Sequence, residues 1–250
     1  MKKRKKLIIF DFDGTLGDTR HIIVTTMQMT MRELQLPERS GDECASTIGL
    51  PLAGCFGALF PNLPAERIQQ CADTYRRLFD ENMQGGKGQI KAAGNRTAEP
   101  SGGLSLVNTF PHVKETLTRL KEQGFTLTIA SSRSHASLTD LTRDMGIADC
   151  ISCLIGADDG KKAKPEPEPV LNTLEALHME ASQTLVVGDM AVDILMGANA
   201  GTETCGVTWG NGSREELQEA GADCIIDSMD ELLNYVEYGA EGHHSKTSNA

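Results

Sequence analysis

The sequence has few aromatic residues and no long apolar segment. Phe, Trp and Tyr make up 4% of the 250 residues, although 39% of the chain is hydrophobic. No run of about 18 apolar residues occurs, which argues against a transmembrane helix. The apolar run at 7–10 ends at Asp11, short of the roughly 7–15 residues that the apolar core of a signal peptide needs. We therefore expect a cytoplasmic globular protein that does not associate with a membrane.

Positive charge is scarce outside the first few residues. The chain has 24 Lys and Arg residues against 35 Asp and Glu residues, a formal net charge of −11. Five of the basic residues lie at 2–6, which leaves 19 against 35 in the rest of the chain, a balance of −16. Nucleic-acid binding needs a positive surface, so it is not expected. Such a chain suits an enzyme that acts on a small molecule and uses a cation.

The cysteines do not form the pattern of a disulfide framework or a zinc site. They are seven in number, an odd count, and are spread along the chain. Cys150 and Cys153 have the CxxC spacing, but no second CxxC pair and no HxxxH partner accompany them. We interpret them as small buried residues before a strand.

The hydrophobic pattern predicts an α/β fold. Short apolar runs alternate with helical patterns through the second half of the chain, as in repeated βα units. Strands are predicted at 7–10, 126–130, 151–155, 184–187, 204–207 and 224–226. Helices are predicted at 113–122, 135–145, 167–177, 192–200, 214–220 and 229–235. We expect a Rossmann-like parallel sheet with helices on both faces.

The long separation between the first two strands predicts an inserted domain. About a hundred residues lie there, far more than a crossover helix needs. Residues 20–83 look helical, and 84–105 hold six glycines with almost no large apolar side chain. The predicted domains are an α/β core at 1–17 and 108–238, a helical domain at 18–83, a flexible linker or mobile loop at 84–107, and a disordered tail at 239–250.

Two acidic residues follow the first strand. Asp11 and Asp13 point to the same side of an extended chain, at the sheet edge where open α/β sheets bind ligands. Two carboxylates this close repel each other unless a cation compensates them. Gly14 and Thr15 would let the backbone turn and present amide groups to an anion. The alternative is an Asx turn that ends the strand.

Two more acidic residues follow the strand at 184–187. Asp189 lies at the strand end, and Asp193 lies in the first turn of the next helix. Mg²⁺ binds carboxylate oxygens together with water and phosphate, so both residues are candidate metal ligands. For Asp193 the alternative is a helix N-terminal acid that interacts with the helix dipole.

Candidate phosphate-binding residues occur at two other turns. Ser131, Ser132 and Arg133 lie between a strand and a helix, where a hydroxyl and backbone amides can bind phosphate. Lys164 precedes a helix, and Pro165 restricts its backbone. The alternatives are an N-cap serine and a solvated lysine.

Four segments resemble the motifs of the haloacid dehalogenase superfamily. They are DFDGTL at 11–16, IASS at 129–132, KAKPEPEP at 162–169 and GDMAVD at 188–193. Residues 20–83 resemble the α-helical cap of the phosphoglycolate phosphatase-like and β-phosphoglucomutase-like branch, and 47–52 resemble the cap loop that faces its active site. The resemblance covers nearly the whole chain.

The resemblance implies a Mg²⁺-dependent phosphatase that acts on a small phosphorylated metabolite through an aspartyl-phosphate, as a monomer or homodimer. Asp11 would be the nucleophile and Asp13 the general acid and base, while Ser131 and Lys164 would bind the phosphoryl oxygens. The implied Mg²⁺ ligands are Asp11, Asp13 through its backbone carbonyl, Asp189 and Asp193. The candidate substrate-binding residues are Gly14, Thr15, Ser132 and Arg133.

Other activities remain as alternatives. Dehalogenases of the superfamily lack the second acid, so Asp13 disfavours carbon–halogen chemistry. Mutases of the β-phosphoglucomutase type have a histidine twelve residues after the nucleophile, where this chain has Ile23, with His21 nearby. A non-catalytic phosphometabolite-binding protein is the third alternative, because a fold does not establish an activity.

Overall fold

A computed structural model describes residues 5–85 and 107–238, and the chain divides into two compact units. The first contains Met1–Asp18, Gly49–Pro51 and Thr109–Ala250, and the second contains Thr19–Ile48 and Leu52–Asn108. Most of the flexible linker or mobile loop predicted at 84–107, and all of the disordered tail predicted at 239–250, lies outside the described residues. Among the described helices, none is long and apolar enough to cross a membrane.

The bounds of the elements follow in chain order. The strands are β1 (Leu7–Phe10), β2 (Gly17–Asp18), β3 (Asn108–Thr109), β4 (Thr126–Ala130), β5 (Cys153–Ile155), β6 (Thr184–Gly188), β7 (Glu203–Val207) and β8 (Cys224–Ile226). The helices are α1 (Arg20–Glu33), α2 (Gly41–Ala45), α3 (Leu52–Leu59), α4 (Ala65–Gly85), α5 (Val113–Glu122), α6 (His135–Asp144), α7 (Glu168–Leu177), α8 (Ala191–Asn199), α9 (Arg214–Glu219) and α10 (Glu231–Tyr238).

The first unit is built on a six-stranded parallel sheet with helices around it. Its strand order is β5-β4-β1-β6-β7-β8, which places β1 between β4 and β6. All four residues of β1 are buried, as expected for a central strand that is covered on both faces. Leu7 is in register with Thr126 of β4 and Thr184 of β6, so the three strands end close together at their carboxyl ends. The predicted parallel sheet is confirmed.

Two helices of the first unit begin at serine caps. The Ser134 hydroxyl accepts a hydrogen bond from the Ser137 amide at the start of α6. At α9, Ser213 and Glu216 form a reciprocal capping box. These contacts satisfy amides that have no partner inside the helix, so α6 and α9 each begin at a defined residue.

The second unit consists of α1 to α4. The apolar side of α4 is buried, and the Tyr75 ring packs edge-on against Phe56 and stacks on Phe79, with centroids 6.3 and 5.9 Å apart. This helix continues to Gly85, past the predicted end of the helical region at 83.

In the first unit, two elements differ from their predicted bounds by two residues or more. The strand predicted at 151–155 begins at Cys153, because a 3-10 turn occupies Ala148–Cys150 and takes the chain to the sheet only afterwards. The last helix spans Glu231–Tyr238 instead of 229–235. Apolar periodicity locates an element, but the ends depend on local hydrogen bonds.

Candidate active site

The candidate site lies at the carboxyl ends of three adjacent strands. Asp11 follows β1, Ser131 follows β4 and Asp189 follows β6. Since β4, β1 and β6 are neighbours in the sheet, their end residues meet at one edge. The Asp11 amide donates to the Val187 carbonyl of β6 at 2.8 Å, which continues the sheet pairing up to the site.

Three carboxylates and one lysine form a buried cluster. Asp11, Asp189 and Asp193, here called the acidic cluster, each offer an oxygen within 4.8 Å of the others. Lys164 is also buried, and its ammonium group lies 2.5 Å from Asp11 Oδ1 and 2.6 Å from Asp193 Oδ1. One ammonium faces three carboxylates, so the cluster has an excess of negative groups.

Burial makes this excess costly. Burial raises the pKa of Asp11 well above its usual range, and the neighbouring Asp193 and Asp189 raise it further against the opposing effect of Lys164. Burial and Asp193 likewise raise the pKa of Asp189 to about 7. Burial disfavours the charge of Lys164, but Asp11 and Asp193 outweigh it and raise the lysine pKa. Three oxygen ligands with unbalanced charge fit a hard divalent cation.

The Asp189 carboxylate is oriented from both sides. Its Oδ1 accepts a hydrogen bond from the Thr15 hydroxyl at 3.1 Å. Its Oδ2 accepts from the Asn211 amide at 2.7 Å and from the Asn211 side chain at 3.1 Å. A Cβ at Gly14 or Gly210 would lie 2.1 or 2.3 Å from Oδ2, too close for any side chain. Gly210 and Asn211 were not predicted, although the run WGNG at 209–212, shortly after β7, was a signal for a turn at the same sheet edge.

Backbone amides of the turn after β1 form hydrogen bonds within the turn itself. The Gly14 amide donates to the Gly17 carbonyl at 3.0 Å, and the Thr15 amide donates to the Phe12 carbonyl at 3.4 Å. We expected these amides to face an anion, whereas the tight turn pairs them internally. Gly14 has a φ of 92°, which glycine adopts without strain. Substrate binding by Gly14 and Thr15 stays a prediction.

The Asp13 carboxylate is not a member of the acidic cluster. Arg133 Nε donates to both of its oxygens, at 2.8 and 2.7 Å, and Arg133 Nη2 lies 2.7 Å from Oδ1. Both side chains are nearly buried, with exposed fractions of 13% for Asp13 and 10% for Arg133. The structure therefore brings Arg133 to the predicted general acid. The metal contact of Asp13 through its backbone carbonyl stays a prediction.

The two serines of the β4 turn have different partners. Ser131 Oγ accepts from the Arg133 amide at 3.2 Å, and the Ser132 hydroxyl donates to the Gly49 carbonyl at 2.7 Å. Ser131 and Lys164 line one small pocket of the first unit, together with Asn172. The two predicted phosphate-binding side chains are thus brought together.

Comparison with known proteins gives a consistent family. Residues 8–207 match the haloacid dehalogenase-like hydrolase family. The chain is 35% identical over 231 residues to “Probable phosphatase IndB” of Dickeya dadantii, and the match covers 92% of each chain. It is 30% identical over 229 residues to “Pyrophosphatase PpaX” of Anoxybacillus flavithermus, covering 92% of this chain and 95% of the relative.

A solved structure agrees with these sequence matches. It is the “Putative haloacid dehalogenase-like hydrolase” of Bacteroides fragilis, with a TM-score of 0.80 and 27% identity. The likeness covers 92% of this chain and all of the other. With a family match over most of its length, on a parallel sheet that presents aspartates at its carboxyl edge, the chain belongs to the haloacid dehalogenase-like hydrolases.

Proposed function

We propose that this protein is a Mg²⁺-dependent phosphatase that hydrolyses a small phosphorylated metabolite through an aspartyl-phosphate on Asp11. The observation that carries the proposal is the ammonium group of Lys164, which is buried between Asp11 and Asp193. It puts positive charge beside the carboxylate that would attack phosphorus. The names of the relatives, a probable phosphatase and a pyrophosphatase, support the same class of reaction.

The reaction has two steps. A carboxylate oxygen of Asp11 attacks phosphorus, the bond from phosphorus to the leaving-group oxygen breaks, and Asp13 gives that oxygen a proton. Asp13 then takes a proton from water, which attacks the aspartyl-phosphate. Inorganic phosphate leaves, and the Asp11 carboxylate is restored.

Charge balance assigns roles to the other side chains. Ser131 and Lys164 line one pocket and would donate hydrogen bonds to the phosphoryl oxygens. The acidic cluster would hold Mg²⁺, whose charge when bound offsets that of the phosphoryl group. Thr15 and Asn211 hold Asp189 in place for this purpose.

The alternatives have less support. The position that is a histidine in β-phosphoglucomutase-type mutases is Ile23, which is buried in α1. A non-catalytic binding protein would not need the nucleophile, the paired acid and the buried lysine together.

The test is hydrolysis of p-nitrophenyl phosphate and of a panel of phosphorylated metabolites, including pyrophosphate, with and without Mg²⁺. Asp11→Asn should abolish turnover, and turnover above roughly one-hundredth of wild type would contradict the assignment. Asp149→Asn, a change at an exposed carboxylate, is the matched control and should leave turnover unchanged. Acid quenching with labelled substrate should trap phosphate on wild-type protein and none on Asp11→Asn.

A further inference from the structure

The ion pair between Asp13 and Arg133 joins two strand ends. Asp13 follows β1, and Arg133 follows the adjacent strand β4, 120 residues later. The side chain of Arg133 thus reaches across the edge of the sheet to the candidate general acid.

The contacts fix the direction of the Asp13 carboxylate. Nε of Arg133 lies within 2.8 Å of both oxygens, and Nη2 adds an ion pair to Oδ1. A guanidinium is planar and rigid, so these contacts orient the carboxylate as well as neutralise it.

The guanidinium is itself held in place. Its central carbon lies 5.9 Å from the centroid of the Phe12 ring, and Nη1 lies 3.4 Å from the Ser137 hydroxyl of α6. Asp13, an aromatic face and a helix thus surround it. Substrate binding by Arg133, which was expected from the sequence, stays a prediction.

We propose that Arg133 is a positioning residue, which acts on the reaction through Asp13 by aiming at the leaving-group oxygen the carboxyl group that carries the proton. The inference rests on the proposed phosphatase function. Proton donation matters most when the leaving group is a poor one, because a stable leaving anion departs without a proton. Loss of Arg133 should therefore slow poor leaving groups more than good ones.

The experiment measures kcat/KM for p-nitrophenyl phosphate, phenyl phosphate and an alkyl phosphate. Arg133→Ala should lower kcat/KM for the alkyl phosphate at least about tenfold more than for p-nitrophenyl phosphate. A misplaced general acid loses part of its contribution to the rate, and the alkyl phosphate depends on that contribution most. Arg133→Lys keeps the charge but loses the planar fork, so it should restore only part of the loss. Arg143→Ala, at an exposed arginine of α6, should change neither value.

A double variant separates positioning from a structural role. Asp13→Asn should show the same leaving-group dependence as Arg133→Ala, and combining the two should add little further dependence. Thermal unfolding shows which variants fold, and Arg133→Lys serves for the comparison if Arg133→Ala does not.

Two results would overturn different statements. An equal loss for all three esters, or no loss, in folded Arg133 variants contradicts the positioning role alone. Failure of the wild-type protein to hydrolyse any of the esters contradicts the proposed function, and the positioning role with it.

Discussion

The ammonium group of Lys164 lies 2.5 Å from Oδ1 of Asp11, although 153 residues separate them in the chain. The same ammonium lies 2.6 Å from Oδ1 of Asp193. All three side chains are buried, so little water screens the interactions. The acidic cluster therefore depends on this one lysine in the absence of a metal ion.

Lys164→Met should strongly destabilise the metal-free protein. The change leaves the carboxylates of Asp11 and Asp193 buried without their partner, which typically costs about 3–5 kcal/mol in the free energy of unfolding. Denaturant unfolding in chelator measures it. Lys162→Met is the control, because its ion pair with Glu166 is exposed and should contribute no more than about 1 kcal/mol. Equal losses in the two variants would contradict the role of Lys164.

Mg²⁺ should stabilise the protein through the acidic cluster. A ligand that binds only the folded state adds about 2.7 kcal/mol at a concentration of 100 times Kd. We expect the unfolding temperature of chelated protein to rise on addition of Mg²⁺, and the rise to disappear in Asp189→Asn. The rise should persist in Asp149→Asn. No rise in wild type, or the same rise in Asp189→Asn, would show that the cluster does not hold the ion.

Gly210→Ala should weaken metal binding although it replaces no metal ligand. The new Cβ would lie 2.3 Å from the Asp189 carboxylate, which has to move. Because groups that orient metal ligands typically change affinity by roughly 10–100-fold, calorimetric titration with Mg²⁺ should show a loss of that size. Gly57→Ala is the control, since a Cβ meets nothing within 4 Å at that position of α3 and should favour the helix. Unchanged affinity in Gly210→Ala would refute the prediction.

The preferred substrate should carry one phosphate on a neutral body. The segment Gly49–Pro51 of the first unit lies beside the site, where the Gly49 carbonyl accepts a hydrogen bond from Ser132, and it contains no charged residue. A second unpaired negative charge that becomes buried there costs several kcal/mol. Steady-state kinetics should give neutral sugar monophosphates a higher kcat/KM than phosphoglycolate or pyrophosphate. The idea fails if either of the more anionic compounds ranks first.

Much of the fold could be predicted from local patterns. The bounds of β1, β4 and α5 agree with the prediction. Each of these elements is marked by a local pattern, an uninterrupted apolar run for the strands and a regularly spaced apolar face for the helix, which can be read from neighbouring residues alone. The positions of Asp11 and Asp189 at strand ends follow from the same patterns. Parallel pairing then brings them to one edge of the sheet, as expected from the sequence.

The partners of the site side chains depend on packing between distant segments. Arg133 pairs with Asp13 across 120 residues, and Asn211 holds Asp189 across 22. The hydrophobic periodicity of the sequence does not indicate such pairs, because each pair forms only when separate strand ends lie side by side. The sequence thus placed the reactive groups at the sheet edge, while tertiary packing selected which of them face the buried lysine and which face an arginine.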